Sequence, residues 1–325
     1  MFADLALIAV ATEAMVGYPD AVYRLVGHPV TWIGRLIAWC DEAWNSQTLS
    51  FDARRRRGVC HASSAAGRRH RCRASRSPPS SRISFLRSLA LLLVGVLASS
   101  LLAQRSLDAH VADVATALEQ DGIEAGRQAV AQIVGRDTQD LDEAAVCRAA
   151  IESLAENFSD GVVAPLFWMV FAGLPGALAY KAINTADSMI GHKSPRHLRL
   201  RLGVGALRRS GEPAGVATLG AVAGAGGRRC SACRRGSALA TVRRDAGYHR
   251  SPNAGWPEAA MAGALGIRLS GPRIYRRRGG RGALGGRGKQ RAWRARHPAQ
   301  RWRLYRTACG LQIAVLAVIA LGLRL

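Results

Sequence analysis

Four apolar stretches punctuate the chain and predict helices that enter or cross a membrane. They are residues 1–16, 83–103, 161–180 and 307–323. Residues 83–103 give the clearest spanning helix, and the uncharged run at 161–180 has roughly the 20 residues that one bilayer crossing needs. Gly173, Pro175 and Gly176 interrupt that run. We therefore expect a bent, broken or re-entrant helix there.

Between the apolar stretches, apolar residues recur at spacings of three and four, as in a helix with one buried face. The segments with this pattern are residues 31–44, 106–119, 123–134 and 141–155. A break with an N-cap is expected at residues 135–138. Alternation with a period of two is not sustained along the sequence. The pattern therefore predicts an all-α, multi-pass membrane protein with an amphipathic helical subdomain.

Charge is distributed very unevenly along the chain, whose formal net charge is +24. Residues 53–82, 193–244 and 273–303 hold 34 of the 46 Lys and Arg residues but only 1 of the 22 Asp and Glu residues. The rest of the chain has 12 basic and 21 acidic residues. A mildly acidic protein is thus interrupted by three basic, low-complexity inserts.

These inserts admit two interpretations. Arg-rich segments bind nucleic acid or anionic lipid, but no nucleic-acid-binding module is recognisable. Arg, Ala, Gly, Ser and Pro are also the residues that GC-rich DNA encodes when it is read out of frame. We favour local frameshifts, expect poorly ordered inserts, and expect no nucleic-acid partner.

Polar side chains crowd both ends of the uncharged run at residues 161–180. Such groups are costly at the ends of a membrane segment unless a site uses them. Ordinary caps would explain two or three of them: Asn157, Ser159 and Asp160 would cap the start of the run, and Lys181 would extend to the membrane surface at its end. We predict a functional site instead. Its candidates are Glu152, Glu156, Asn157, Ser159 and Asp160 before the run, and Lys181, Asn184, Thr185, Asp187, Ser188 and His192 after it.

Two other stretches carry candidate groups. His28, before Pro29, is either a ligand contact or a structural turn residue, and both interpretations are open. The second stretch, residues 249–258, contributes Arg250, Ser251, Asn253, Trp256 and Glu258, and a tight turn at 253–257 would present Trp256.

The candidate residue types indicate phosphate chemistry with a hard metal ion. Carboxylates grouped with Asn and Ser suit Mg²⁺, and Lys181, His192 and Arg250 suit phosphate. The sequence has no Walker-type loop, GxGxxG motif or nucleophile elbow. A nucleotide would therefore bind through an unfamiliar site.

The same stretches resemble a known family. ESLAENFSDGVVAP with YKAINTADSMIGHKSP, then GYPDAVYRLVGHPVTWIGRLI, and then HRSPNAGWPEAAMAGALGIRL are similar to the membrane-bound adenosylcobinamide-phosphate synthase (cobinamide synthase) family of cobalamin biosynthesis. The resemblance covers about two thirds of the chain.

That resemblance implies a reaction and roles for the candidates. The family joins adenosylcobyric acid to aminopropanol or its phosphate through an amide bond, using ATP and Mg²⁺, so the acid must be activated, most simply as an acyl phosphate. Glu156, Asp160 and Asp187 would be metal ligands or a general base, with Asp160 and Asp187 on the metal. Lys181, His192 and Arg250 would meet phosphate. The residues left to position or contact substrate are Asn157, Ser159, Asn184, Thr185, Ser188, Ser251, Asn253, Trp256, Glu258 and His28.

The resemblance also implies location and partners. It predicts one domain over residues 1–325, multi-pass in the inner cell membrane and contacting lipid. The active site would face the cytoplasm, and other cobalamin-biosynthesis enzymes would be partners. We also expect the break near Gly173 to bring Asp160 and Asp187 to one side of the membrane.

Two departures from the family bear on activity. An acidic R-x-D-D-like segment is expected after the GH-x-[ST]-P motif, and an acidic, glycine-rich loop is expected between Tyr275 and Leu304. Arg-rich sequence stands in both places, which predicts an impaired or inactive copy. A non-catalytic transporter or corrinoid-binding protein is the alternative class, because transporters also use broken helices with polar groups. The internal repeats typical of transporters are not found.

Overall fold

The computed structural model describes residues 2–44, 81–190, 237–249, 251–269, 273–275, 278–280 and 298–323. Within them the chain forms eleven α-helices, and the all-α class is confirmed. The helices are α1 (Phe2–Val16), α2 (Asp20–Val26), α3 (Pro29–Trp44), α4 (Ser81–Ser99), α5 (Gln104–Thr116), α6 (Ile123–Ala131), α7 (Glu143–Phe158), α8 (Ala164–Ile190), α9 (Ser237–Asp245), α10 (Pro252–Leu265) and α11 (Pro298–Gly322).

Shorter elements complete the described part. Single π-helical turns occupy Ala117–Asp121 and Ser159–Val163, and a 3-10 turn occupies Ala246–Tyr248. Strands β1 (Arg273–Tyr275) and β2 (Arg278–Gly280) pair antiparallel, with Arg273 opposite Gly280.

The chain divides into two compact units. Unit 1 comprises Met1–Leu102, Ala164–Gly211 and Leu316–Leu325, and unit 2 comprises Ala103–Val163 and Glu212–Val315. Each unit is assembled from separate stretches of sequence. The prediction of one domain over residues 1–325 stays a prediction.

Membrane-compatible helices confirm the membrane character predicted from the apolar stretches. Within the described residues, Ser84–Asp121, Glu143–Met189 and Tyr305–Gly322 are each long and apolar enough to cross a bilayer. Phe2–Val16 and Asp20–Ala43, bent by 108° at their junction, add a fourth if they form one broken span. Phe85, Leu93 and Leu97 are largely exposed on α4. An apolar surface of that kind suits lipid.

In unit 1, α1 packs against α4 and α8, and α3 packs against α8. The predicted break in the central run lies at Gly173, where φ is 66° and ψ is −159° inside α8. A positive φ favours glycine because a Cβ is strained there. Pro175 follows in the first turn of the resumed helix, where its missing N–H costs little.

In unit 2, the amphipathic helices α5, α6 and α7 share an apolar core that contains Val114, Val130, Val146, Ala149 and Ala150. The predicted N-cap within residues 135–138 is wrong. The cap is Asp142, whose Oδ1 accepts a hydrogen bond of 2.6 Å from the Ala145 amide, because α7 begins at Glu143. Helix α11 also begins earlier than predicted, at Pro298 instead of residue 307.

Parts of two basic inserts have regular secondary structure. Helix α9 lies at the end of the second insert and buries Ala238, Thr241 and Val242, so this part of the insert is packed protein. The third insert contains the β1–β2 pair and the start of α11. Residues 53–80, 193–236 and 281–297 lie outside the described residues, and the expectation that they are poorly ordered stays a prediction.

Candidate active site

A π-helical turn carries Ser159 and Asp160, and the other polar residues before the apolar run lie on α7. The chain stays helical from Glu143 through the turn Ser159–Val163 into α8, and Ser159 itself has helical φ and ψ. The capping interpretation of Asn157, Ser159 and Asp160 is therefore wrong, because no helix starts there. The Ala103 amide donates to the Gly161 carbonyl at 3.1 Å, which holds the turn against the start of α5. π-turns inside α-helices occur frequently at functional sites.

Glu156, Asn157, Ser159 and Asp160 form what we call the π-turn cluster. Ser159 is buried, Glu156 and Asp160 are partly buried, and both carboxylates are engaged in contacts within the protein. Asn157 Nδ2 donates to the carbonyl and hydroxyl oxygens of Ser153, at 2.9 and 3.1 Å. Asn157 is thus oriented by α7, although its side chain is otherwise exposed.

A buried ion pair fixes the loop that leads into α7. Arg136 Nη2 lies 2.9 Å from Glu152 Oε2, and both side chains are at most 10% exposed. The Ser153 hydroxyl donates to the Ile133 carbonyl at 2.6 Å. Glu152, a candidate site residue in the sequence, therefore has a structural role. It supports the helix on which the π-turn cluster stands.

Tyr305 connects α11 to the same part of unit 2. Its hydroxyl donates to the Gln104 carbonyl at 2.7 Å, and its ring lies edge-on to Phe158 with centroids 5.4 Å apart. Arg306 Nη2 pairs with Asp108 Oδ2 at 3.0 Å. These contacts could not be predicted from local sequence patterns, because the residues lie far apart along the chain.

Residues 251–258 form the capped start of α10, and the predicted tight turn at 253–257 is wrong because those residues are helical. Ser251 is the N-cap of α10 and accepts a hydrogen bond of 3.4 Å from the Ala254 amide. A Cβ on Gly255 would lie 2.6 Å from both the Ala246 carbonyl oxygen and His249 Cβ. Only glycine permits α10 to start this close to the preceding turn. Trp256 is 40% exposed on the helix.

Glu258 is buried and pairs with His249. The carboxylate Oε2 lies 3.3 Å from His249 Nε2, with 3% and 10% of the side chains exposed. The sequence interpretation placed Glu258 on substrate and did not single out His249 as a site residue. Because both side chains are buried, the His249–Glu258 pair supports the start of α10 at Ser251. Helix α10 packs against α7.

In unit 1, the polar residues after the apolar run lie on one half of α8. We call His28, Lys181, Asn184, Thr185, Asp187 and Ser188 the lysine cluster. Lys181, Asn184, Thr185 and Ser188 share a helix face by their spacing. The hydroxyls of Thr185 and Ser188 donate to the carbonyls of Lys181 and Asn184, at 2.8 and 3.0 Å. Asn184 Oδ1 is buried and accepts no hydrogen bond within the described part of the chain.

His28 is a turn residue that also lies close to Lys181. Its Nδ1 accepts a hydrogen bond of 3.2 Å from the Val30 amide, and its carbonyl accepts from the Thr31 hydroxyl at 2.7 Å. Lys181 is near enough to act on the ring electrostatically. Nδ1 therefore has the role expected of a structural turn residue, and Nε2 is the ring nitrogen suited to a ligand.

The structure thus assigns most candidates to one of the two units. Glu156, Asn157, Ser159 and Asp160, with Ser251, Asn253, Trp256 and Glu258, belong to unit 2, and the lysine cluster belongs to unit 1. His192 and Arg250 lie outside the described residues. Among the residues described, no three His, Cys, Asp or Glu side chains group as metal ligands. The assignment of Mg²⁺ to Asp160 and Asp187 stays a prediction.

Fold and candidate residues together define an all-α membrane protein with polar clusters on its long helices. A family model described as CobD/Cbib protein matches residues 6–305, and the chain belongs to that family. The predicted family is thus confirmed. No solved structure matches the chain.

Curated relatives agree with the family match. A Sinorhizobium protein named Cobalamin biosynthesis protein CobD is 48% identical over 277 residues, covering 82% of this chain and 82% of that protein. The protein of that name from Rhizobium meliloti is 46% identical over 277 residues, covering 83% and 82%. The one from Rhodobacter capsulatus is 46% identical over 281 residues, covering 84% and 83%.

Proposed function

We propose that this chain catalyses ATP-dependent amide formation between adenosylcobyric acid and aminopropanol or its phosphate. The role in cobalamin biosynthesis follows from membership of the CobD/Cbib family, and it implies a corrinoid-type substrate. The observation that carries the proposal is the extent of the family match. Residues 6–305 include both the π-turn cluster and the lysine cluster.

The π-turn cluster supports the carboxylate part of this chemistry. Glu156 and Asp160 are partly buried on a helix that the Arg136–Glu152 pair and the Ser153–Ile133 hydrogen bond hold in place. Carboxylates held in this way suit proton transfer from an amine nucleophile. We assign Glu156 and Asp160 to metal binding or general base, and Asn157 and Ser159 to positioning.

Mg²⁺ fits the types of residue present. It is commonly held by one or two carboxylates together with substrate phosphates and water, so a group of three protein ligands is not required. Asp160 and Asp187 are the residues that we propose for it. When bound with ATP, the ion would neutralise phosphate charge.

The lysine cluster supports recognition of the charged substrate. Lys181 acts on His28 electrostatically, and both side chains suit phosphate oxygens. His192 and Arg250, outside the described residues, are proposed as further phosphate contacts. The hydroxyls of Thr185 and Ser188 already donate to α8, so their oxygens remain as acceptors. Asn184, Ser251, Asn253 and Trp256 would position substrate, and Glu258 would act through His249.

Location and partners are part of the same proposal. We place the chain in the inner membrane with its site toward the cytoplasm, where ATP is available, and expect other cobalamin-biosynthesis enzymes nearby. The transporter alternative is not favoured, because the relatives are named for biosynthesis.

The test uses membranes from a host that lacks its own CobD/Cbib protein. They receive adenosylcobyric acid, Mg²⁺, and aminopropanol or its phosphate, with or without ATP, and the amide is detected by mass spectrometry. A hybrid chain carries the Sinorhizobium sequence in place of residues 53–80, 193–236 and 281–297. We expect ATP-dependent amide from the hybrid and a lower rate from the chain itself. Amide from neither would contradict the proposal.

A further inference from the structure

A buried carboxylate on α1 lies outside the motifs that predicted the site. Glu13 is only 3% exposed on a helix whose side chains are mostly apolar. An ionisable side chain is costly to bury in an apolar membrane helix unless it faces a partner or a polar site. The packing of unit 1 shows what Glu13 faces.

Contacts at the two ends of α1 fix its direction along α8. At the start, a ring carbon of Phe2 lies 3.0 Å from the position that a Cβ on Gly173 would take. Just beyond the end, the Tyr18 ring meets the His28 ring with centroids 4.6 Å apart, and the Tyr18 hydroxyl donates to the Gly27 carbonyl at 2.7 Å. In the helix that follows His28, a Cβ on Gly34 would lie 3.5 Å from Met189 Sδ, near the end of α8. Helix α1 therefore runs beside α8 in the direction from Gly173 toward Lys181.

The register of the two helices places Glu13 beside Asn184. Phe2 and Glu13 are as far apart along the sequence as Gly173 and Asn184. At the helical rise of about 1.5 Å per residue, each pair spans about 16 Å along its helix axis. This separation is also close to three full turns, so Glu13 lies on the same face of α1 as Phe2. The contact between Phe2 and Gly173 turns that face toward α8. Glu13 is therefore level with Asn184 and about one helical turn from Lys181.

Charge and hydrogen bonding at this level suit a cation. Glu13 supplies a negative charge at this level, and it is not one of the carboxylates proposed for Mg²⁺. Asn184 Oδ1 is a buried acceptor that receives no hydrogen bond within the described residues. Buried acceptors are rarely left in that state in folded proteins. A ligand with a positively charged hydrogen-bond donor meets both requirements.

We propose that Glu13 and Asn184 bind the ammonium group of the amine substrate. The ligand class is a short amino alcohol with a primary amine, and Lys181 faces the hydroxyl or phosphate at its other end. The identity of the amine rests on the proposed function. Glu13 adds a residue from the first helix to the lysine cluster.

The test measures binding without turnover. The full chain, reconstituted in lipid nanodiscs, is titrated calorimetrically with 1-amino-2-propanol and, for comparison, with propane-1,2-diol, which lacks the amine. We expect the amine to bind, and Glu13→Gln to weaken its binding roughly 10- to 100-fold, because Gln keeps an acceptor oxygen but removes the negative charge that strengthens the hydrogen bond to the ammonium group. Asn184→Ala should weaken binding as well. Asp4→Asn, the same change elsewhere in α1, should leave affinity unchanged.

A double variant distinguishes ligand binding from simple neutralisation of Lys181. If Glu13 only balanced the charge of Lys181, Glu13→Gln with Lys181→Met would restore amine binding, and that result would overturn the inference. Equal affinity of the wild type and Glu13→Gln would do the same, as would no binding of the amine to the wild type. The amide assay is separate. If amide is formed in that assay but Glu13→Gln binds the amine as tightly as the wild type does, this inference is overturned and the proposed function still stands.

Discussion

His249 Nε2 lies 3.3 Å from Glu258 Oε2, and the imidazole also contacts the backbone of Ser251 through Nδ1. A carboxylate oxygen accepts hydrogen bonds, so His249 Nε2 carries a proton and donates a hydrogen bond to Glu258. In the neutral ring Nδ1 accepts from the Ser251 amide at 3.1 Å, and in the charged ring it donates to the Ser251 carbonyl at 2.8 Å. The turn therefore accommodates both protonation states of His249.

This relationship predicts that the pair stabilises the start of α10. Glu258→Ala leaves a buried imidazole without its carboxylate, and we expect a loss of about 3 kcal/mol in the free energy of unfolding. Glu258→Gln keeps a hydrogen-bond acceptor and should cost less. The thermal midpoint of the detergent-solubilised protein measures both. Trp256→Ala, an exposed position on the same helix, is the control. Additive effects of Glu258→Ala and His249→Ala would contradict the pairing.

A second prediction concerns Gly255. Gly255→Ala places a Cβ 2.6 Å from the Ala246 carbonyl oxygen and from His249 Cβ, so α10 must move away from the preceding turn. Overpacking of this kind costs about 1 to 3 kcal/mol. Gly247→Ala is the matched control, because a Cβ there meets nothing within 4 Å. Equal thermal midpoints for the two variants would show that the approach is not tight.

A third prediction tests the break in α8. Gly173→Ala should lower the free energy of unfolding by about 1 to 2 kcal/mol from backbone strain alone, because φ there is 66°. The new Cβ would also crowd the Phe2 ring. Phe2→Ala in the same chain removes the crowding but not the strain. Full recovery of the thermal midpoint in that double variant would contradict a role for backbone strain. Gly135→Ala, at an open position, is the control.

The helices and the break were predictable because their signals are local. The apolar runs, the amphipathic spacing and the Gly173–Pro175 interruption each depend on residues near one another in sequence. Asn157, Ser159 and Asp160 are not helix caps, because a π-turn keeps the chain helical at this point. No simple residue preference predicts such a turn. The pairing of Glu258 with His249 was missed because α10 first had to be recognised as a helix. From the sequence, Glu13 was only an acidic residue in an apolar run. Its role could not be predicted, because its neighbours on α8 are distant in sequence.

A fourth prediction concerns the origin of the basic inserts. Translating the coding DNA of residues 53–80, 193–236 and 281–297 in all three frames should reveal apolar or acidic sequence similar to the Sinorhizobium relative. The second range ends before Ser237, because α9 is packed against α10. Arg-rich sequence in every frame would contradict the frameshift interpretation, and the inserts would then need a function of their own.

The last prediction concerns the two carboxylates proposed for Mg²⁺. Asp160→Asn and Asp187→Asn should each abolish amide formation by the hybrid chain, because Asn keeps the shape of the side chain but lacks the charge that Mg²⁺ favours. Membrane insertion should be unaffected, since neither change adds charge or bulk. Asp140→Asn, an exposed acidic position in the loop before α7, should retain activity. Each variant is titrated with Mg²⁺ in the mass-spectrometric assay. Turnover close to that of the unmodified hybrid at limiting Mg²⁺ would exclude the altered residue as a metal ligand.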